Sequence, residues 1–198
     1  MKMNTQRSTI DELLERFLPS NPLVIETVVQ VYRAPIYRLA LSILDHPDEA
    51  EDATQETFIH VAAHLDRYQV GSDFRAWLFT ITVNICRGFL RKRAARRRLQ
   101  QALAALGSIT GSSGGMETRL VQEQTQHEIW DLVNRLPEKQ RLVMILRLAH
   151  DLSIAEIAQI LDIPPKTVYS RLYDAFRNLR GQIARSDQHR HILEEWML

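Results

Sequence analysis

The chain has 198 residues, 45% of them hydrophobic and 25% charged, with a formal net charge of +1. That length suits one large or two small domains, and the apolar share argues against wholesale disorder. With so small a net charge, nucleic-acid contact must rest on how charge is segregated, and a single cysteine, Cys86, excludes an internal disulfide or a Cys-rich zinc site.

Residues 1–22 read as a polar N-terminal extension with one short amphipathic piece, Ile10 to Leu18, closed by Pro19 and Pro22. There is no apolar signal-peptide core and no run long enough to span a membrane, so a cytoplasmic protein without membrane insertion is expected. From Leu23 to Leu44, Val24, Val28, Val31, Tyr32, Ile36, Leu39, Ala40 and Ile43 recur at helical spacing. Pro35 in the middle should kink or split that helix, because it removes an amide donor.

The next helix opens with Pro47, Asp48 and Glu49, residue types that suit a first turn and its positive dipole end. Ala50, Ala53, Phe58, Val61, Ala62 and Leu65 make its inward face. Asp48, Asp52, Gln55 and Glu56 make an acidic outward one. Such a stripe repels DNA, so its fitting partner is a basic protein surface, though it also reads as a solubilising face.

Tyr68 to Arg98 organises the rest. Gly71, Ser72 and Asp73 form a turn able to cap a helix. Phe74, Trp77, Leu78, Ile81, Ile85 and Phe89 then repeat as an inward face. Thr80, Asn84, Arg87 and Arg91 form a polar stripe, and Lys92, Arg93, Arg96, Arg97 and Arg98 a basic run. Short polar side chains read base edges, Arg and Lys neutralise phosphates, and aromatics at the head of such a helix suit stacking on unpaired bases. The bland reading is a solvated basic helix with ordinary core aromatics.

Residues 99–116 pass into a Ser/Gly-rich stretch and read as a flexible linker. Fully extended, Leu99 to Gly115 spans up to roughly 55–60 Å. That exceeds one turn of duplex, about 34 Å. Beyond it come a helix over Glu117 to Leu136 and another over Glu138 to His150, with Leu142, Val143, Ile145, Leu146 and Leu148 as core. Ser153 and Glu156 match a capping box. The turn Asp162-Ile163-Pro164-Pro165 then leads into a helix over Lys166 to Arg180 that turns Val168, Leu172, Ala175 and Leu179 inward. Lys166, Thr167, Tyr169, Ser170 and Arg171 stand at its exposed tip. This is the layout of a helix-turn-helix, whose second helix enters the major groove tip first. Residues 182–198 form an amphipathic tail carrying Ile192, Leu193, Trp196 and Met197. His189 and His191 lack further ligands nearby, so no metal is expected. No G-x-S-x-G, phosphate-binding glycine loop or H-E-x-x-H occurs, so no catalytic constellation is present and no enzyme is expected.

The expected fold is therefore all-α: two helical domains joined by a flexible linker, the second containing a helix-turn-helix. Three segments, DEAEDATQETFIHVAAHLDRY, FRAWLFTITVN and LPEKQRLVMILRLAHDLSIAEIAQILDIPPKTVYSRL, resemble the sigma-70 family, specifically its two-domain extracytoplasmic-function (ECF) group. The resemblance covers about Leu23–Arg98 and Thr118–Gly181. It implies a region 2-like domain over residues 23–98 and a region 4-like domain over residues 117–181. It also implies binding to core RNA polymerase, recognition of two promoter elements and help in opening the duplex, with no enzymatic activity and no cofactor. Family members are often held inactive by an anti-sigma factor, so such a partner is a further implication.

Residue by residue, the resemblance assigns polymerase docking to Asp48, Asp52, Gln55 and Glu56. It assigns the −10 element to Tyr68, Phe74, Arg75, Thr80, Asn84, Arg87 and Arg91, and the −35 element to Lys166, Thr167, Tyr169, Ser170, Arg171 and Asp174. Tyr169 and Asp174 stand where the family usually has basic residues. Asp174 either accepts from a cytosine amino group, repels the duplex, or pairs along the helix with Arg171, Arg177 or Asn178. Two other classes are a stand-alone helix-turn-helix repressor and an adaptor that keeps only protein contacts. The acidic helix argues against the first, and Asn84, Arg87 and Ser170 against the second.

Overall fold

The computed structural model describes residues 12–13, 21–106 and 130–184, which are helical with short turns between. These residues fall into two compact units. Most of the chain up to Arg98 lies in one, and most of the chain from Leu99 onward in the other.

In the first unit, α1 spans Pro22–Leu44 and begins where Asn21 accepts the Leu23 amide at 2.9 Å. Pro22 is thus the first helical residue rather than the end of an extension. The helix runs through Pro35 without splitting. The loss of one amide donor is offset by the packing of Val24, Val28, Tyr32, Ile36, Leu39, Ala40 and Ile43, which hold both halves on one buried face. Asp45 then adopts a left-handed conformation (φ 53°) and turns the chain into α2, Pro47–His64. α1 packs along α2.

The buried face of α2 differs from the expected one. Ala50, Ala53 and Val61 are inside as expected, but Phe58 is half-exposed and Ala62 exposed, and Thr54 and Thr57 take the buried positions. Their hydroxyls each donate to the carbonyl four residues earlier at 2.7 Å, so a short polar side chain is buried at little cost. A single 3-10 turn, Leu65–Arg67, comes next.

α3 spans Phe74–Leu106. Asp73 caps it, accepting the Ala76 amide at 3.1 Å, and Gly71 supplies the positive φ (86°) of the preceding turn. Its buried residues are Phe74, Ala76, Leu78, Phe79, Thr82, Val83 and Cys86. Trp77, Ile81, Ile85 and Phe89, expected inside, are only half-buried. Phe79, Thr82, Val83 and Cys86 take the core side instead. Burial pushes the Cys86 thiol up to about 12, which keeps it an unreactive apolar filler. The helix also runs past Arg98. Leu99 to Leu106 contains only Leu, Gln and Ala, all strong helix formers, so the first part of the expected linker is helical. The remaining linker lies outside the described residues, as do most of the expected helix over Glu117 to Leu136 and the tail beyond Ala184.

Later in the chain, residues 130–134 are helical, and α4 (Glu138–Leu148), α5 (Ile154–Leu161) and α6 (Pro165–Ala184) come after them. α4 packs on α6, and Asn178 donates to Gln140 at 2.8 Å across that contact. The capping box forms as expected. Glu156 accepts the Ser153 amide at 2.8 Å, and Ser153 accepts the Glu156 amide at 3.2 Å. Asp162 ends α5 in a left-handed conformation (φ 50°), and α6 starts at Pro165. Val168, Leu172, Ala175 and Leu179 are all buried along α6.

Arg93 belongs to the expected basic run but is used internally. Its guanidinium donates to the Leu44 carbonyl at 3.2 and 3.3 Å and pairs with Glu49, tying α3 to the corner between α1 and α2. Replacing Arg93 by Ala should therefore lower unfolding free energy by about 1–2 kcal/mol, as expected for charge-assisted hydrogen bonds. Arg96→Ala, at an exposed position, should change it by less than about 0.5 kcal/mol. Chemical denaturation of both variants checks this, and equal losses would contradict it.

Candidate polymerase and promoter surfaces

The four acidic-stripe residues, Asp48, Asp52, Gln55 and Glu56, are all exposed on α2. Ile59 lies one turn beyond Gln55 and Glu56 and is 71% exposed. Sequence periodicity does not single it out, but an isolated apolar side chain beside a row of acids can anchor a partner. Glu49 and Glu51 are not available in the same way, since Glu49 pairs with Arg93 and Glu51 with Arg33 at 3.0 Å.

The residues assigned to the −10 element divide. Tyr68 and Phe74 are buried, at 6% and 0% exposure, inside an aromatic cluster. Phe74 meets Tyr68 edge-on at 4.9 Å, Tyr32 at 5.5 Å and Trp77 at 5.6 Å between ring centroids. The Tyr68 hydroxyl donates to the Ser72 carbonyl at 2.6 Å and holds the turn before α3 closed. Both rings are thus packed in the core here, and stacking on a base would require them to leave it. The half-buried Trp77 is the aromatic of this cluster that reaches the surface.

Arg75 is half-buried, with its guanidinium 4.9 Å above the Phe79 ring. Thr80 is half-buried and donates to the Ala76 carbonyl at 2.8 Å. Asn84 and Arg91 are exposed and Arg87 half-buried, one to two turns apart on α3. Beside them, Ile81, Ile85 and Phe89 form the floor of an open groove of about 320 Å³, walled by Glu56 and His60 of α2 and by Arg91 and Lys92 of α3. Glu56 of the acidic row and Asn84 and Arg91 of the polar-basic stripe therefore line a single groove. His60 titrates below the ordinary imidazole value, first because of burial and then because of His64 and Arg67, with Glu56 opposing.

On α6, Lys166, Tyr169 and Ser170 are exposed and Thr167 half-buried. Arg171 departs from expectation. It is half-buried beside Leu172, and its Nη1 is buried without a hydrogen-bond partner. Asp174 pairs with Arg177 at 2.9 Å, and the Arg177 guanidinium lies 6.0 Å from the Tyr173 ring. Tyr173, 69% exposed, and Arg177 extend the exposed row begun by Lys166, Tyr169 and Ser170, and the expected site includes neither.

Residues 28–96 match the family model for Sigma-70 region 2, and residues 126–179 match that for Sigma-70, region 4. Over 162 residues the chain is 31% identical to the ECF RNA polymerase sigma factor SigW of Bacillus subtilis, covering 79% of this chain and 87% of that protein. This chain belongs to the sigma-70 family. It is also 33% identical over 133 residues to the ECF sigma factor EcfG of Rhodopseudomonas palustris, covering 67% of this chain and 70% of that protein. Among solved structures, it resembles the sigma factor RpoE in its complex with the anti-sigma factor NepR from Bartonella quintana. That match has a TM-score of 0.62 and 25% identity, and covers 82% of this chain and 98% of that one. The fold of CnrH, solved with the cytosolic domain of CnrY, also matches at TM-score 0.62 and 21% identity, over 92% of this chain and 97% of that one. The helical architecture is thus that of sigma factors. Among the described residues no helix is long and apolar enough to cross a membrane.

The Asp174–Arg177 pair gives this sigma factor a testable property. Asp174→Ala removes a carboxylate from the exposed row and releases Arg177, so affinity for any duplex should rise on the order of two- to fivefold at low salt, the size of an exposed ion-pair effect. The gain should shrink at high salt as phosphate attraction is screened. Fluorescence anisotropy at two salt concentrations measures it. A fall confined to one promoter sequence would instead identify Asp174 as a base reader.

Proposed function

We propose that this chain is an ECF-type sigma factor that binds core RNA polymerase, recognises −10 and −35 promoter elements and promotes DNA melting for transcription initiation. The observation that carries this reading is the segregation of charge and side-chain type. An exposed acidic row with Ile59 sits on α2, a polar-basic stripe on α3, and a helix-turn-helix later in the chain. The α2 row, Asp48, Asp52, Gln55 and Glu56, is the polymerase-docking surface, with Ile59 as its apolar anchor. Asn84, Arg87 and Arg91, helped by Arg75 and Thr80, take the −10 strand beside Trp77. Lys166, Thr167, Tyr169 and Ser170 enter the −35 groove, with Tyr173, Asp174 and Arg177 behind them.

In this reading the region 2-like domain begins at the Asn21 cap, and the flexible linker begins after the α3 helix rather than at Leu99. The protein acts by binding alone in the cytoplasm, without catalysis or a cofactor. An anti-sigma factor would hold it inactive, as the complexes of related sigma factors suggest. A stand-alone repressor has no use for the acidic row, so that reading is not favoured.

The test separates docking from reading. Asp52→Lys with Glu56→Lys should weaken copurification with core polymerase at least about a hundredfold, because like charges would face each other across the contact. Circular dichroism should remain native, since both positions are exposed. Asn84→Ala and Arg87→Ala should leave polymerase binding in place and reduce permanganate reactivity of the melted promoter. Unchanged polymerase binding in the first variant, or unchanged melting in both of the others, would overturn the corresponding assignment.

A further inference from the structure

Asp52, Glu56, His60 and His64 succeed one another at four-residue steps on α2, so one flank of the helix passes from carboxylate to imidazole. The His60 and His64 rings are stacked, with centroids 4.3 Å apart and planes inclined by 24°. The Nδ1 of His64 lies 2.9 Å from the His60 carbonyl oxygen. A carbonyl oxygen can only accept, so Nδ1 of neutral His64 donates to it and Nε2 is left as the lone-pair nitrogen. This arrangement of a backbone carbonyl on the second nitrogen is the one that orients metal-binding imidazoles. His60 is exposed and lines the open groove beside Glu56, so its ring has room to turn towards a shared ligand.

Two histidines one helical turn apart can chelate a single ion from one helix face. Imidazole nitrogen favours Zn²⁺, Ni²⁺ and Cu²⁺ over Mg²⁺ and Ca²⁺. We propose that His60 and His64 form a two-imidazole site for a divalent transition ion of the zinc type. Among the described residues no three of His, Cys, Asp and Glu are grouped to hold a metal ion. Water therefore completes the shell, and the ion is exchangeable rather than structural. Glu56, electrostatically coupled to His60, draws the cation in, while Arg67 on the next turn opposes it.

The consequence rests on the proposed docking role of α2. An ion at this pair places positive charge next to Asp52, Glu56 and Ile59, on the face meant for a basic polymerase surface. Bound Zn²⁺ should therefore weaken polymerase docking.

The full chain is titrated with Zn²⁺ by calorimetry, as wild type, His60→Ala and His64→Ala. Wild type should bind one equivalent that each variant weakens by more than about tenfold, a loss that even an outer partner of a metal ligand can cause. Zinc binding unchanged in both variants overturns the site. Both positions are on a helix and neither is buried, so Ala should preserve the fold, and circular dichroism confirms it. Polymerase binding is then measured with and without Zn²⁺ on wild type and on the double variant. Weakening by Zn²⁺ in wild type alone supports the regulatory role. Equal weakening in both proteins, or none in either, overturns that role while the calorimetry still decides the site. Failure of metal-free wild type to bind polymerase at all would refute the docking role itself and leave the metal site standing.

Discussion

Phe74 is held by Tyr32 of α1, by Tyr68 of the preceding turn and by Trp77 one turn along, and the rotation of α3 is set at that contact. Aromatic pairs of this kind add about 0.5–1.5 kcal/mol each beyond the area they bury. With Phe74 pinned inward, the helix periodicity carries Leu78, Phe79, Thr82, Val83 and Cys86 to the core. Ile81, Ile85 and Phe89 are carried to the groove, and Asn84 and Arg91 to the open side. A ring taken out of this cluster would disturb the register of every candidate promoter contact on the helix. Tyr68 and Phe74 thus act in this fold as packing that orients α3.

Charge is arranged around the same frame. The chain is nearly neutral in total, yet α2 carries Asp48, Glu49, Glu51, Asp52 and Glu56 with no Lys or Arg, while α3 carries a basic run from Arg87 to Arg98. Two basic residues pair with acids of α2. Arg33 pairs with Glu51, and Arg93 with Glu49 and the Leu44 carbonyl. The outward carboxylates Asp48, Asp52 and Glu56 remain exposed for a partner, and Arg91, Arg96, Arg97 and Arg98 for a polyanion. The Arg93 clamp and the aromatic cluster together hold α3 against α1 and the start of α2.

How much of this is legible in the sequence varies with the kind of interaction involved. The capping box at Ser153, the proline start of α6 and the inward Val168, Leu172, Ala175 and Leu179 are legible because each depends on neighbours within a few positions. The exposed acidic row is legible for the same reason. The faces of α2 and α3 are misplaced by periodicity. Thr54, Thr57 and Thr82 count as polar by that measure, yet each hides its hydroxyl on a carbonyl of its own helix and packs as a small side chain. Ile81, Ile85 and Phe89 count as core by the same measure but floor a groove. Arg93 and Arg171 look like the other basic residues in sequence, because their surroundings are set by tertiary packing. A linker beginning at Leu99 starts too early, because its Leu-Gln-Ala half favours helix and only its Ser-Gly half has a linker's composition.

The central claim is that this chain directs polymerase to promoters by joining an acidic docking row to two DNA-reading surfaces. Run-off transcription with core polymerase on genomic fragments tests it most directly. Discrete transcripts are expected only when the chain is added, with start sites that share two spaced upstream elements. Duplex binding by the chain alone, with no transcript from any fragment in the presence of core polymerase, would contradict it.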